Sequence, residues 1–160
     1  MIGARFMLLC LVWAVAGASA LAAPSFTDAI DLARNGGFES PGAKDLPAEW
    51  VPSQPPSGDV KMVWDEANPR SGNRCIGIVS QYAEPRPWFW WDQRVAHVKP
   101  GDRLRLAGWT RVEGDPINAF LGIWFLTEDD QEIRSITIND LKKHGSQWAE
   151  VSQAVVAPEG

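Results

Sequence analysis

The chain has 160 residues, a formal net charge of −5 and an isoelectric point near 5.0. An acidic chain with no basic stripe repels phosphate backbones, which argues against nucleic acid as a partner. The length points to one domain, and nine tryptophans within a 45% hydrophobic composition supply a core; twelve prolines and fourteen glycines favour short strands joined by turns over helices.

Residues 1–22 read as a secretory signal peptide. Arg5 gives a short positive region, Phe6 to Val15 is an apolar run, and Ala18-Ser19-Ala20 and Ala20-Leu21-Ala22 each fit a small-x-small cleavage pattern. The run is too short to span a membrane, so the expected location is secreted or periplasmic, with no membrane span. Cys10 falls within this leader. Cys75 is then the only cysteine of residues 23–160, which excludes an intrachain disulfide and reads as a buried, inert thiol.

Residues 23–160 read as one β-sandwich domain. Asn35-Gly36-Gly37-Phe38-Glu39 marks a sharp change of direction, and a loop with prolines at 41, 47, 52, 55 and 56 carries Trp50, which is expected to plug one end of the core. Strands are predicted at 60–64, 74–80, 88–98, 103–112, 118–126, 132–138 and 147–156, with room for a helical turn only at 139–146. Turn signals separate them, among them Ser71-Gly72-Asn73, Pro100-Gly101-Asp102 and Glu128-Asp129-Asp130. Leu104, Leu106, Gly108 and Thr110 alternate with Arg103, Arg105, Ala107 and Trp109, a period-2 pattern. Ala119, Leu121, Ile123 and Phe125 alternate with Phe120, Gly122, Trp124 and Leu126, so both faces there are apolar, as in a central strand between a core and a second lined surface. The fold class these patterns imply is all-β, an antiparallel two-sheet sandwich of jelly-roll type.

Trp88, Phe89, Trp90 and Trp91 form the densest aromatic run, preceded by Pro87 and followed by Asp92 and Gln93. In a strand Trp88 and Trp90 share one face, and Phe89 and Trp91 the other. One pair can enter the core. The other makes an apolar platform beside polar groups, suited to the flat face of a sugar ring or to an unstacked base. The acidic charge turns the choice toward sugar.

Several motifs follow one another in a familiar order: Asn35-Gly36-Gly37-Phe38-Glu39, then Trp50, Ser71-Gly72-Asn73, Val98-Lys99-Pro100-Gly101-Asp102, and Trp148-Ala149-Glu150-Val151-Ser152. Together they resemble the carbohydrate-binding modules of the CenC type (families four, nine and twenty-two), whose fold is a galactose-binding-like jelly roll. The resemblance covers nearly all of residues 28–160. It implies a non-catalytic module that holds polysaccharide of glucan or xylan type, often beside an attached glycoside hydrolase domain. It also implies a structural calcium ion held by Glu39 and the Gly37 carbonyl, with further oxygens from Ser71 and Arg74. Pro87-Trp88 resembles a Pro-Trp of some members, one residue out of step with the Val98-x-Pro-Gly motif, which suggests a bulge between them. The glycan platform is then expected from Trp88 and Trp90, with Gln93 and Asp92 as hydrogen-bonding neighbours, Trp109 and Trp124 as extensions and Arg111 at the flank. The chain stops short of about two further strands of such a module. One unfilled strand position and a loosely ordered C-terminus are therefore expected.

Other chemistry is weaker. Glu128, Asp129, Asp130 and Glu132 could in principle supply the paired carboxylates of a small glycoside hydrolase, yet their adjacency reads as a solvated hairpin turn. His97 and His144 lack a second ligand at zinc spacing. The remaining alternative is a structural or adhesive β-sandwich whose aromatics meet another protein.

Overall fold

The computed structural model describes residues 2–8, 30–53, 59–80, 88–114, 116 and 118–159, with residues 2–8 described by their backbone. Nine strands carry the regular structure: β1 (Ile2–Leu8), β2 (Val51–Pro52), β3 (Val60–Asp65), β4 (Cys75–Ser80), β5 (Trp91–Val98), β6 (Arg103–Thr110), β7 (Leu121–Leu126), β8 (Glu132–Ile138) and β9 (Ala149–Val156). Among the described residues helix is limited to 3-10 turns at Ala43–Asp45 and Leu141–His144. The second falls within the expected helical turn. Every predicted strand is present, with ends shifted by up to three residues. No helix among the described residues is long and apolar enough to cross a membrane.

The protein is thus all-β. One sheet has five strands in the order β2-β5-β1-β7-β8, and two further pairs, β3-β4 and β6-β9, complete it. All pairings are antiparallel. Turn chemistry explains the short connections. Before β6, Pro100 supplies its fixed φ and Gly101 sits at φ +82°, while Asp102 N–H donates to the Lys99 carbonyl at 3.0 Å. This is the geometry a type II turn demands of proline followed by glycine. Within β5, Val95 pairs with Ala4 and Val98 with Ile2, so two residues, Ala96 and His97, stand opposite Gly3 alone. His97 takes a positive φ of 69° there. This is a bulge in the stretch between Trp88 and the Pro100-Gly101 turn where the sequence suggested one, and it resets the inward phase so that both Val95 and Val98 are buried.

The inward rows meet in a single core. Trp91, Leu121, Ile123 and Phe125 of the five-stranded sheet are fully buried and pack in one cluster with Ile76 of β4 and Leu106 of β6. Each such side chain contributes about 1.5–3 kcal/mol by leaving water. Trp91 also donates its indole N–H to the Gly77 carbonyl of β4 at 3.0 Å, a polar tie from one layer to the other.

Ile2–Leu8, the beginning of the leader-like stretch, stands between β5 and β7 and pairs on both sides. The expectation of a loosely ordered C-terminus needs correction, because the last described residues are tied down. Ala157 is buried, its N–H donates to the Asp102 carbonyl at 2.9 Å, and its own carbonyl accepts from Gly101 N–H at 3.0 Å. The cleavage region Ala18–Ala22, Cys10 and Pro87 lie outside the described residues.

Candidate binding face

Alternation along β5 divides its side chains. Trp91, Gln93 and Val95 point into the core, whereas Arg94 is exposed on the other face. Trp88, just ahead of the strand, is 54% exposed despite its size. Trp90 is half-buried, and its backbone is clamped by Ser53: Ser53 N–H donates to the Trp90 carbonyl at 2.9 Å, and Trp90 N–H donates to Ser53 Oγ at 3.1 Å.

β7 brings a second set of rings to the same place. Phe120, immediately before the strand, lies edge-on to Trp88 with ring centroids 5.7 Å apart. Trp124 tilts against Phe120 at 6.0 Å. Gly122 makes room for Trp124. A Cβ at that position would stand 2.3 Å from Trp124 Cζ3, so the indole can lie across the strand only because residue 122 has no side chain. Thr137, paired with Gly122 across β8, borders the same spot. The outcome is three aromatic rings side by side on the face of the sheet away from the core. They are not coplanar, with interplanar angles of 60° for Trp88–Phe120 and 50° for Phe120–Trp124. Edge-to-face packing of this kind is the preferred aromatic geometry, and it makes a faceted surface instead of the flat platform expected from sequence.

Polar groups lie on the neighbouring strands and turn. Arg94 forms an ion pair with Asp130 of the β7–β8 turn at 2.5 Å, both about half exposed. Thr137 Oγ1 accepts from the Asn139 side-chain amide at 3.1 Å. Ser135 pairs with Trp124 on the neighbouring strand and is exposed.

Other predicted binding residues go elsewhere. Gln93 is 3% exposed, and its amide is fully engaged inside the protein. Its oxygen accepts from Arg34 N–H at 2.7 Å, and its nitrogen donates to the Arg34 carbonyl at 2.8 Å and the Glu49 carbonyl at 3.2 Å. It is a buried clasp for the segment entering the domain and has no free group for a hydroxyl. Trp109 belongs to β6 in a different sheet, under the Arg70 guanidinium at 3.6 Å from its ring centroid. Arg111 lies over Trp148 at 5.4 Å and pairs with Glu113 at 3.2 Å. Trp88, Trp90 and Trp124 therefore remain with the five-stranded sheet, and Trp109 and Arg111 do not. Phe120, whose alternation with Gly122 and Trp124 is visible in the sequence, joins Trp88 and Trp124 there.

The opening motif forms a structural knot. The Asn35 side chain donates to the Ser40 and Ala48 carbonyls at 3.0 and 2.9 Å, and its backbone carbonyl accepts the indole N–H of Trp50 at 3.1 Å. Glu39 accepts backbone N–H bonds from Asn73 at 2.9 Å and Arg74 at 3.1 Å. Gly72, at φ +68°, permits this, because a Cβ there would fall 2.2 Å from Glu39 Oε1. Calcium needs converging oxygens. Here the one carboxylate of the predicted set faces N–H donors, and the Arg74 guanidinium is drawn to Glu66 and the Trp64 ring. In this arrangement the Glu39 carboxylate ties the opening motif to the turn before β4. Among the described residues no group of three or more histidine, cysteine, aspartate or glutamate side chains is placed to hold a metal.

The acidic residues 128–130 occupy the β7–β8 turn. Thr127 N–H donates to the Gln131 carbonyl at 2.9 Å, and Asp130 adopts φ +61°. Cys75 is buried beside Asp65, and burial first, then that carboxylate, raises its pKa, which keeps the thiol protonated and unreactive at neutral pH. No family model, curated protein or solved structure matches this chain.

Proposed function

We propose that the protein is a non-catalytic carbohydrate-binding module that holds a polysaccharide of glucan or xylan type against Trp88, Phe120 and Trp124. The observation that carries this reading is the exposed indole of Trp88, kept out of the core while joined to two further rings on the outer face of the sheet. An aromatic cluster with Ser135 and Thr137 on the adjoining strand offers stacking for the C–H faces of sugar rings and hydrogen bonds for their hydroxyls. The tilted rings favour a soluble single chain, whose successive sugars can turn, over a flat crystalline surface, which needs coplanar rings. By analogy with base stacking, each ring contributes about 1–3 kcal/mol. A jelly-roll topology of the CenC type and export by the leader-like N-terminus, to the periplasm or the medium, belong to the same reading. Neighbouring glycoside hydrolase domains are the partners it implies.

Affinity electrophoresis on soluble xylan and mixed-linkage β-glucan tests it. The unaltered protein is expected to be retarded by at least one of them, and a Trp88→Ala, Trp124→Ala double variant to lose that retardation. An unaltered protein that migrates freely in every glycan, or a double variant retarded as strongly as its parent, overturns the proposal.

A further inference from the structure

We infer that the gap between β5 and β7 is a strand-acceptor site, filled by residues 2–8 in the full chain and able to take an extended apolar segment of another polypeptide in their place. β5 and β7 do not pair with each other; both pair with β1. Along β1, Ala4 stands opposite Val95 and Phe125, and Phe6 opposite Gln93 and Ile123. These register positions meet the buried rows of the two flanking strands, so an occupant needs apolar residues at alternate positions and backbone N–H and C=O groups on both sides.

The two walls of the gap are spaced by contacts that do not pass through β1. At one end Trp88, leading into β5, touches Phe120, leading into β7. On the outer face Arg94, opposite Arg5 at the middle of β1, reaches Asp130 of the β7–β8 turn. Two contacts thus span the gap around the width of one strand. An empty gap would leave unpaired backbone groups along two facing edges and uncover part of the core, a strong drive for strand addition.

Residues 2–8 also open the stretch that reads as an export leader, and a strand cannot be both removed and kept. The next segment of the same chain is a poor replacement. Residues 23–29 contain Pro24, which has no N–H for a ladder, and Asp28, a charge that a buried row excludes. The chemistry of the gap therefore calls for a strand from outside residues 23–160.

The test uses the full chain with a protease recognition sequence inserted between Ala22 and Ala23. After cleavage of the folded protein, a labelled peptide of sequence Ile2–Leu8 with solubilising lysines is added, and complexes are weighed by native mass spectrometry. The expected result is one strand per chain: either the cleaved segment stays bound without a covalent link, or the labelled peptide replaces it. Amide protection in β5 and β7 should be kept through the exchange, and a peptide carrying Phe6→Pro should lose uptake. The inference fails if the segment departs and the remainder keeps its near-ultraviolet circular dichroism while binding no peptide. It fails equally if the remainder aggregates and excess peptide does not rescue it. Neither readout involves sugar, so the glycan proposal stands or falls separately.

Discussion

The two faces of β5 and its approach use the same residue type for opposite ends. Trp91 is fully buried and hydrogen-bonded across the layers, whereas Trp88, three residues earlier, holds more than half its surface in water. The polar residues divide likewise. Gln93 is sealed in with three internal hydrogen bonds, and Arg94 reaches across the outer face to Asp130. Residue type alone does not decide between scaffold and surface here; strand phase does.

That contrast can be broken at graded positions. The largest effect is expected from Trp91→Ala, which empties the centre of the core and orphans the Gly77 carbonyl. A loss of about 3–5 kcal/mol is expected for a buried aromatic reduced to alanine. Against a typical total of about 5–15 kcal/mol, urea unfolding should show a largely destabilised protein. Gln93→Leu comes next. It keeps the volume but leaves the Arg34 N–H and carbonyl and the Glu49 carbonyl without their partner, at a cost of about 1–3 kcal/mol for the buried groups. A fall in the urea midpoint with unchanged glycan retardation is the expected pairing, because Gln93 does not reach the binding face. Trp88→Ala is the smallest in stability, about 0.5–1.5 kcal/mol for the lost edge-on contact with Phe120, and should nonetheless weaken glycan retardation. A midpoint shift as large as that of Gln93→Leu would show that Trp88 belongs to the scaffold after all.

Much of the strand layout was legible because its signals are local. The alternation through 121–126, the Pro100-Gly101 turn and the Thr127–Gln131 hairpin each specify their own conformation within a few residues. In the aromatic run, Trp91 is buried and Trp88 exposed, as alternation through that segment suggests. What escaped the sequence was decided at long range. Trp109 and Trp124 sit in similar alternating patterns, and only their membership of different sheets separates them. Gln93 announces by its chemistry that it needs partners, but not that one of them lies 59 residues away. Glu39 likewise shows a carboxylate without revealing that amide N–H groups will surround it. The N-terminal stretch combines an apolar run with a nearby positive charge, a pattern that suits export and strand formation alike, and only the long-range pairing of residues 2–8 with β5 and β7 shows the second of these.

The indole proton of Trp91 has a consequence for how this protein can be watched. Held against the Gly77 carbonyl at the meeting of the two layers, it can reach solvent deuterium only when those layers part. The corresponding proton of Trp88 sits on a largely open ring. Two resonances from one short peptide segment would therefore report separately on opening of the whole body and on events at its outer surface, without any added label.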